Sequence, residues 1–234
     1  MMLKRKMAAS VLLACFAAGY AGGVPAECER LEQRVDSVLR LMTLSEKVGQ
    51  MNQLSNKEVL TGQLIETSDL AEMIRSGKTG SVLNVVGVEP TRRLQEMAVN
   101  ETRLGIPLIF ALDVIHGFRT ISPIPLAESC SWDLEAIEKS SQVAAAEATA
   151  AGVQWTFAPM VDIARDPRWG RVMEGAGEDP CLGAAIAAAR VRGFQGSDLS
   201  ACHTMAACAK HFVGYGASEG GRDYNTVDMS MQRL

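Results

Sequence analysis

The sequence lacks the features that mark several classes of protein. Its formal net charge is −4 and no basic cluster follows the first few residues, so a nucleic-acid-binding surface is not expected. No G-x-G-x-x-G turn occurs, as a dinucleotide-binding fold would need, and no H-E-x-x-H pair indicates a zinc site. The six cysteines form no C-x-x-C pair, so neither a zinc ribbon nor a thioredoxin-like site is indicated. The sequence therefore predicts no metal and no cofactor.

The amino terminus differs from the rest of the chain. Three basic residues precede an apolar run that ends at Phe16, and small residues follow as far as Ala26. This layout is typical of a secretory signal, and the run is shorter than the roughly 20 apolar residues of a membrane-spanning helix. We predict a signal peptide over residues 1–26, cleaved after Ala21 or Ala26, and an exported protein, periplasmic or extracellular. A lipoprotein site at Cys15, which would leave a lipid anchor there, is an alternative.

Residues 27–234 are predicted to form one domain, because no linker, repeat or low-complexity stretch interrupts them. Four short apolar runs bounded by turn residues are predicted as strands, at residues 81–86, 107–112, 155–159 and 205–210. Helical spacing or capping residues predict helices at 29–41, from Thr43, from Ser68, and at 89–101, 133–151 and 182–195. Strands that are apolar throughout and alternate with helices indicate a parallel sheet covered on both faces.

Both a (β/α) barrel and a doubly wound open sheet fit this alternation, and the positions of the polar residues separate them. Asp113 follows one strand directly, residues 162–171 follow the next, and Lys210 and His211 end another. A barrel gathers the carboxyl ends of its strands around one mouth, whereas an open sheet concentrates its signature in one glycine-rich turn. We predict an α/β fold of the TIM type. The sequence offers about five candidate strands, including the four named above, where a closed barrel has eight, so the barrel is expected to be incomplete.

Three strand-end segments are unusually rich in charge. The first reads D-V-I-H-G-F-R over residues 113–119, the second R-D-P-R-W-G-R over 165–171, and the third K-H-F over 210–212. Together they offer a carboxylate, guanidinium groups, an ammonium group and an imidazole. Such a set suits a neutral polyol, because hydroxyls donate and accept hydrogen bonds and charged partners make the stronger ones. A salt-bridged loop is the usual explanation for one such segment, but it does not account for three at strand ends.

These segments, in this order, resemble the sugar-subsite motifs of glycoside hydrolase family 3. The closing segment over residues 224–230 is similar to that of periplasmic β-glucosidases in the family, and the resemblance runs from about Thr43 to the last residue. Carried over by position, it implies that six side chains hold the glucose whose bond is cleaved: Asp113, Arg119, Arg171, Lys210, His211 and Arg222. For Arg168, pairing with Asp166 to shape the loop is an alternative role.

The resemblance also implies a retaining β-glucosidase mechanism with an aspartate nucleophile and a glutamate acid/base. In the family the nucleophile lies in a Ser-Asp motif downstream of Lys-His, and the acid/base comes later still, so we expect no catalytic residue within this chain. Asp198 follows a serine but precedes Lys210, and Glu174 and Glu178 fit structural pairing with Arg171 or the backbone. Expressed alone, residues 27–234 are expected to be poorly soluble and inactive on an aryl β-glucoside.

Several alternatives stay open from the sequence. N-acetylglucosaminidases of the family carry an Asp-Ser-His loop soon after Lys-His, and residues 216–222 lack that histidine, which favours a β-glucosidase or a β-xylosidase. An exported sugar-binding protein without catalytic acids is the alternative from another class. His116 is expected to be a satisfied core histidine, and the cysteines are expected to be buried free thiols.

Overall fold

The computed structural model describes residues 26–55 and 70–234, so the predicted signal peptide, apart from Ala26, lies outside the described residues. The chain divides into two compact units, one ending at Thr43 and the other spanning Leu44–Leu234. Within the first, helix α1 (Ala26–Leu41) confirms the helix predicted over 29–41. None of the described helices is long and apolar enough to cross a lipid bilayer.

The second unit alternates helices with short strands, as predicted. Its helices are α2 (Leu44–Gly49), α3 (Leu70–Arg75), α4 (Val88–Asn100), α5 (Pro125–Ser129), α6 (Leu134–Ala150) and α7 (Pro180–Gln195). Its strands are β1 (Gln53–Ser55), β2 (Ser81–Leu83), β3 (Ile109–Leu112) and β4 (Trp155–Thr156). Among the described strands and α-helices, β1 and α5 are the two that the sequence did not predict.

The four strands form one parallel sheet in the order β1-β2-β3-β4. The register places Gln53 beside Ser81 and Ser81 beside Ile109. The predicted strand over 205–210 continues this arrangement through isolated parallel bridges, which join Ala206 to Trp155 and Lys210 to Met160. The prediction of a parallel sheet is therefore confirmed, and the sheet is not closed within the described residues.

Helices pack on this sheet through two main apolar clusters. One joins α3 and α4 to β2, β3 and their flanking loops, through Ile74, Val82, Val85, Met97, Ala98, Leu108 and Phe110. The other joins α6 and α7 to the segment after β3 and to residues on both sides of β4, through Val114, Ala144, Ala145, Ala148, Val153, Ala158, Phe194 and Met205. Burial of these side chains supplies the main driving force for the fold, at about 25 cal/mol for each Å² of apolar surface removed from water.

Carboxylate caps begin the two long helices that flank the site. Asp133 accepts a hydrogen bond from the backbone N–H of Ala136 at 2.9 Å and starts α6. Asp179 accepts one from the N–H of Leu182 at 2.8 Å, with Pro180 as the first residue of α7. Both caps satisfy N–H groups that have no partner within the helix. Helix α7 therefore begins two residues before the predicted start.

Helices α6 and α7 approach closely at a glycine. A Cβ atom added to Gly193 of α7 would lie 2.6 Å from the Cβ of Ser141 and would overlap the carbonyl oxygen of Glu138, both on α6. Gly183, also on α7, has room, because its added Cβ would meet only Ile163 Cδ1 at 3.6 Å.

We expect Gly193→Ala to lower the free energy of unfolding by about 1–3 kcal/mol, because the two helices must separate to accept the methyl group. Gly183→Ala is the matched control and is expected to be neutral or stabilising by up to about 1 kcal/mol, since alanine is the better helix former. Urea-dependent pulse proteolysis of both variants measures the difference. Equal stability of the two variants would contradict the close packing.

Cys130, Cys181, Cys202 and Cys208 are free thiols, as predicted, but they are not buried. Cys130, Cys181 and Cys202 are exposed, and Cys28 and Cys208 are half-buried. The prediction of buried thiols was wrong because several of these residues lie at helix ends or in turns: Cys130 ends α5, Cys181 lies in the first turn of α7, and Cys202 lies in a turn before the bridge at Ala206.

Candidate functional site

The three charged segments meet at the carboxyl end of the sheet. Asp113 comes directly after β3. The backbone N–H of Val161 donates to the carbonyl of Lys210 at 2.7 Å, and the N–H of Lys210 donates to the carbonyl of Pro159 at 3.0 Å. These bonds hold the Lys210 segment against the chain that leaves β4. Because parallel strands point the same way, their polar end residues share one edge of the sheet.

Lys210 and Asp113 form an ion pair across this edge. Lys210 Nζ donates to Asp113 Oδ1 at 2.7 Å, and the two side chains are only 13% and 23% exposed. The pair joins two strand ends that lie far apart in the sequence. A carboxylate accepts hydrogen bonds and an ammonium group donates them, so a pair of this kind suits hydroxyl groups, which do both.

His211 is held by Asp162. The backbone N–H and the ring Nδ1 of His211 lie 3.0 and 2.9 Å from Asp162 Oδ2, and the Asp162 side chain is 1% exposed. Asp162 Oδ1 is buried and has no hydrogen-bond partner among the described residues. One carboxylate therefore fixes both the backbone and the ring orientation of His211, which directs the other ring nitrogen, Nε2, away from Asp162.

Arg171 is paired with Glu174 in a bidentate salt bridge. Its Nε and Nη2 atoms each lie 2.8 Å from one of the two carboxylate oxygens, and both side chains are largely buried. The hydrogen bond to Glu174 raises the pKa of Arg171 above its ordinary value. The expected structural role for Glu174 is confirmed. The salt bridge holds the planar Arg171 guanidinium rigidly, which fixes the direction of the N–H groups that do not face Glu174.

Arg168 has the alternative role that the sequence left open. It forms a bidentate salt bridge with Asp166 and is 73% exposed. The guanidinium of Arg168 lowers the pKa of Asp166 to about 2. Arg168 therefore shapes the loop between β4 and Arg171.

Two of the six predicted site residues stand apart from this cluster. The Arg119 guanidinium lies 5.9 Å from the ring of its neighbour Phe118, and its backbone N–H donates to Glu147. Arg222 is exposed, and no side-chain hydrogen bond or ion pair of it occurs within residues 26–55 and 70–234. The structure thus joins Asp113 to Lys210 and places Arg171 and His211 around one tyrosine, Tyr215.

Two further residues named in the sequence analysis are Asp198, which lies away from this cluster, and His116, whose surroundings differ from the expected ones. Asp198 accepts hydrogen bonds from the backbone and hydroxyl of Ser200, in the loop before the bridge at Ala206 and hence toward the opposite, amino end of the sheet. His116 is half-buried, and its Nδ1 is buried without a partner in the described part of the chain. The prediction of a satisfied core histidine was wrong. No group of His, Cys, Asp and Glu suited to a metal ion occurs among the described residues.

Sequence reasoning missed two residues of this cluster. Asp162 carried a signal, since it is a carboxylate between the apolar residues Val161 and Ile163, and such a group must find a partner when buried. Tyr215 carried none, because its contacts with Arg171 and His211 depend on the fold of two separate loops.

Comparison with known proteins assigns this domain. A family model described as the glycosyl hydrolase family 3 N terminal domain matches residues 43–234. The chain belongs to glycoside hydrolase family 3. It is 41% identical over 213 residues to the periplasmic beta-glucosidase of Salmonella typhimurium, covering 91% of this chain and 27% of that protein. It is 29% identical to the lysosomal beta glucosidase of Dictyostelium discoideum, covering 81% of this chain and 26% of that one.

Solved structures agree with this family 3 assignment. The chain superposes on the beta-glucosidase from Listeria innocua in complex with isofagomine with a TM-score of 0.79 and 45% identity, covering 86% of this chain and 28% of that one. These comparisons confirm the predicted fold, an incomplete TIM-type (β/α) barrel. The family 3 chain spans little more than a quarter of the length of the relatives it matches.

Proposed function

We propose that this domain is the sugar-subsite part of a retaining β-glucosidase that acts on terminal non-reducing β-D-glucosyl residues. The observation that carries the proposal is the ion-paired cluster at the carboxyl end of the sheet, where Lys210 contacts Asp113 at 2.7 Å. His211 and Arg171 lie around the same tyrosine. Fixed charged groups of this kind hold sugar hydroxyls with the stronger class of hydrogen bond.

The same proposal assigns the hydroxyls of the bound glucose to Asp113, Arg171, Lys210 and His211. Arg119 and Arg222 complete the set as exposed side chains that turn toward the sugar when it binds. Listeria innocua beta-glucosidase has been solved in complex with glucose and, as a D270A mutant, with laminaribiose. Those ligands, together with the names of the relatives, support a β-glucoside or a β-linked oligosaccharide as the substrate.

Activity on β-xylosides is a second candidate. The chain is 37% identical over 153 residues to the beta-xylosidase of Formosa agariphila. It is 30% identical over 152 residues to the periplasmic beta-glucosidase/beta-xylosidase of Dickeya chrysanthemi. Xylose differs from glucose by one hydroxymethyl group, and one such group changes binding by only about 1–3 kcal/mol.

We further propose that the nucleophile and the acid/base lie outside these 234 residues. No Ser-Asp pair follows Lys210 in the sequence, which supports this arrangement. In the family mechanism, the aspartate attacks the anomeric carbon while the acid gives its proton to the departing glycosidic oxygen. Water then displaces the aspartate and returns a proton to the conjugate base, so that the configuration at the anomeric carbon is retained.

Export is also proposed. Residues 1–26 have the layout of a signal peptide, and two relatives are named periplasmic. We propose a periplasmic or extracellular protein that loses this segment, or keeps a lipid anchor at Cys15 if the lipoprotein site is used. Mass spectrometry of the mature amino terminus distinguishes the two.

The test compares two proteins. One is encoded by the complete open reading frame, established by reading the coding DNA past Leu234, and the other is residues 27–234 alone. We expect the first to release the phenol from an aryl β-glucoside and the second to release none. The subsite without a nucleophile binds the sugar but does not cleave the glycosidic bond. An aryl β-xyloside assayed in parallel measures the second candidate activity.

Turnover by purified residues 27–234 would contradict the assignment of the catalytic groups. The control for contaminating enzymes is the same fragment with Lys210→Met, purified identically. If the reading frame stops after Leu234 and neither protein has activity, binding of glucose or laminaribiose without cleavage would favour the exported sugar-binding alternative. Absence of both binding and activity would overturn the proposed function.

A further inference from the structure

Tyr215 occupies the centre of the charged cluster without being one of the predicted sugar-binding residues. Its ring centroid lies 4.8 Å from that of His211 and 5.1 Å from that of Trp169, both at nearly perpendicular angles. The guanidinium carbon of Arg171 lies 5.7 Å from the same ring, within the range of a cation–π contact. One aromatic ring thus contacts two side chains proposed to bind the sugar, and these come from different loops.

The backbone of Tyr215 is fixed to the loop that follows β4. The backbone N–H of Arg165 donates to the carbonyl of Gly216 at 3.1 Å. A Cβ atom on Gly216 would overlap the carbonyl of Ile163, so the two loops touch through their main chains. Ser218 Oγ donates to the carbonyl of Tyr215 at 2.8 Å. The base of the tyrosine side chain is therefore held in place by bonds that do not involve its ring.

The far end of the ring is held by a second anchor. The hydroxyl of Tyr215 donates to the carboxylate of Asp223 in a short hydrogen bond, and Asp223 also accepts the backbone N–H of Tyr224 at 3.1 Å. Burial, together with the hydrogen bond to Asp223, raises the pKa of Tyr215 to about 12. The hydroxyl therefore stays protonated at any ordinary assay pH and keeps donating to the carboxylate.

We propose that Tyr215, anchored through its hydroxyl by Asp223, is a positioning residue that holds Arg171 and His211 at the spacing that the sugar hydroxyls require. This inference rests on the proposed β-glucosidase function and adds two residues to it. Small displacements of binding groups have large effects on rate, so loss of the anchor is expected to weaken catalysis although neither residue touches the sugar.

The variants distinguish the contribution of the Tyr215 hydroxyl from that of its ring. Tyr215→Phe keeps the ring contacts and removes the hydrogen bond, while Asp223→Ala removes its acceptor and Asp223→Asn keeps an acceptor oxygen. Tyr224→Phe is the matched control, because the hydroxyl of Tyr224 makes no hydrogen bond within the described residues and its side chain is exposed. All variants are made in the protein encoded by the complete reading frame.

We expect Tyr215→Phe and Asp223→Ala each to lower kcat/KM for an aryl β-glucoside about 10-fold, and the double variant to be no worse than either, because both changes remove one interaction. Asp223→Asn should stay within about 3-fold of the parent, and Tyr224→Phe should match it. Additive losses in the double variant would show that the two residues act separately.

A series of monodeoxy glucosides provides a readout that a purely structural role would not change. In the parent enzyme, kcat/KM should fall strongly when the substrate lacks a hydroxyl held by Arg171 or His211. In Tyr215→Phe, this fall in kcat/KM should be smaller for those hydroxyls alone, because their partners are already misplaced. Equal losses on every deoxy substrate, or kcat/KM of Tyr215→Phe within 2-fold of the parent, would overturn the inference. A parent without turnover would overturn the proposed function first, and the inference with it.

Discussion

Replacing Lys210 with methionine is expected to lower kcat/KM for an aryl β-glucoside by about 10²–10³-fold in the protein encoded by the complete reading frame. Methionine has a similar length but no charge, so the largely buried Asp113 carboxylate loses the partner it contacts at 2.7 Å. The sugar loses one charged hydrogen-bonding group at the same time. Removing a single preorganised donor from an active site has effects of this size. Steady-state kinetics on the purified variant measure the loss.

The matched control for this variant is Lys139→Met. Lys139 is an exposed lysine on α6, and its ammonium group lies 3.4 Å from Gln142, where loss of one weak contact should leave kcat/KM unchanged. Asp113→Asn should cause a loss similar to that of Lys210→Met, and the double variant should lose little more, because the pair acts as one unit. A Lys210→Met protein that keeps a third of the parent activity would refute the role assigned to this pair.

The largest effect on stability is expected from Glu128, which forms a buried ion pair with Arg190. Only 7% and 6% of the two side chains are exposed, and the pair also receives a hydrogen bond from Ser140 to Glu128 at 2.8 Å. A second nitrogen of Arg190 donates to the carbonyl of Ile115 at 3.0 Å, within the segment that begins at Asp113. Burial lowers the pKa of Arg190, but the arginine remains charged because that pKa is ordinarily so high.

We expect Glu128→Leu to lower the free energy of unfolding by about 3–5 kcal/mol, because it leaves a buried guanidinium without a counter-charge. Glu138→Leu is the control, since its partner Arg192 is 58% exposed and such pairs contribute at most about 1 kcal/mol. Adding Arg190→Met to Glu128→Leu should recover much of the loss, since the uncompensated charge is then gone. Urea-dependent pulse proteolysis measures the free energy of unfolding of all three variants. Equal losses of this free energy in Glu128→Leu and Glu138→Leu would contradict the prediction.

Much of the fold was predictable because its signals are local. Helices α4, α6 and α7 lie within two residues of their predicted bounds, and Asp133 marks the start of α6, whereas the Asp179-Pro180 cap of α7 was missed. Strand β1 was missed because it has three residues, of which only Leu54 is buried, so the sequence contains no apolar run that would predict it. The strand predicted over 205–210 exists only as isolated bridges. Its apolar composition reflects burial, which does not by itself produce a regular ladder of hydrogen bonds.

Candidate site residues were predictable where they belong to a motif of the family. Contacts between side chains from separate loops were not predictable, because they form only in the folded chain. Asp113, Arg171, Lys210 and His211 were found through three motifs at strand ends. Their partners were harder to predict, because Asp162 and Tyr215 acquire their roles only when separate loops meet. Arg119 shows the reverse case, since its motif predicted a site residue and its guanidinium lies beside Phe118.

The order of the strands has a consequence for how the chain acquires its shape. Each strand of the sheet lies beside the one that precedes it in the sequence, and the bridges at Ala206 and Lys210 extend the same progression beyond β4. A polypeptide that emerges with its amino terminus first, from a ribosome or a translocation pore, can add every new strand to an edge that already exists. None of the described strands has to insert between two that formed earlier, so this part of the sheet can grow in one direction as fast as its segments appear.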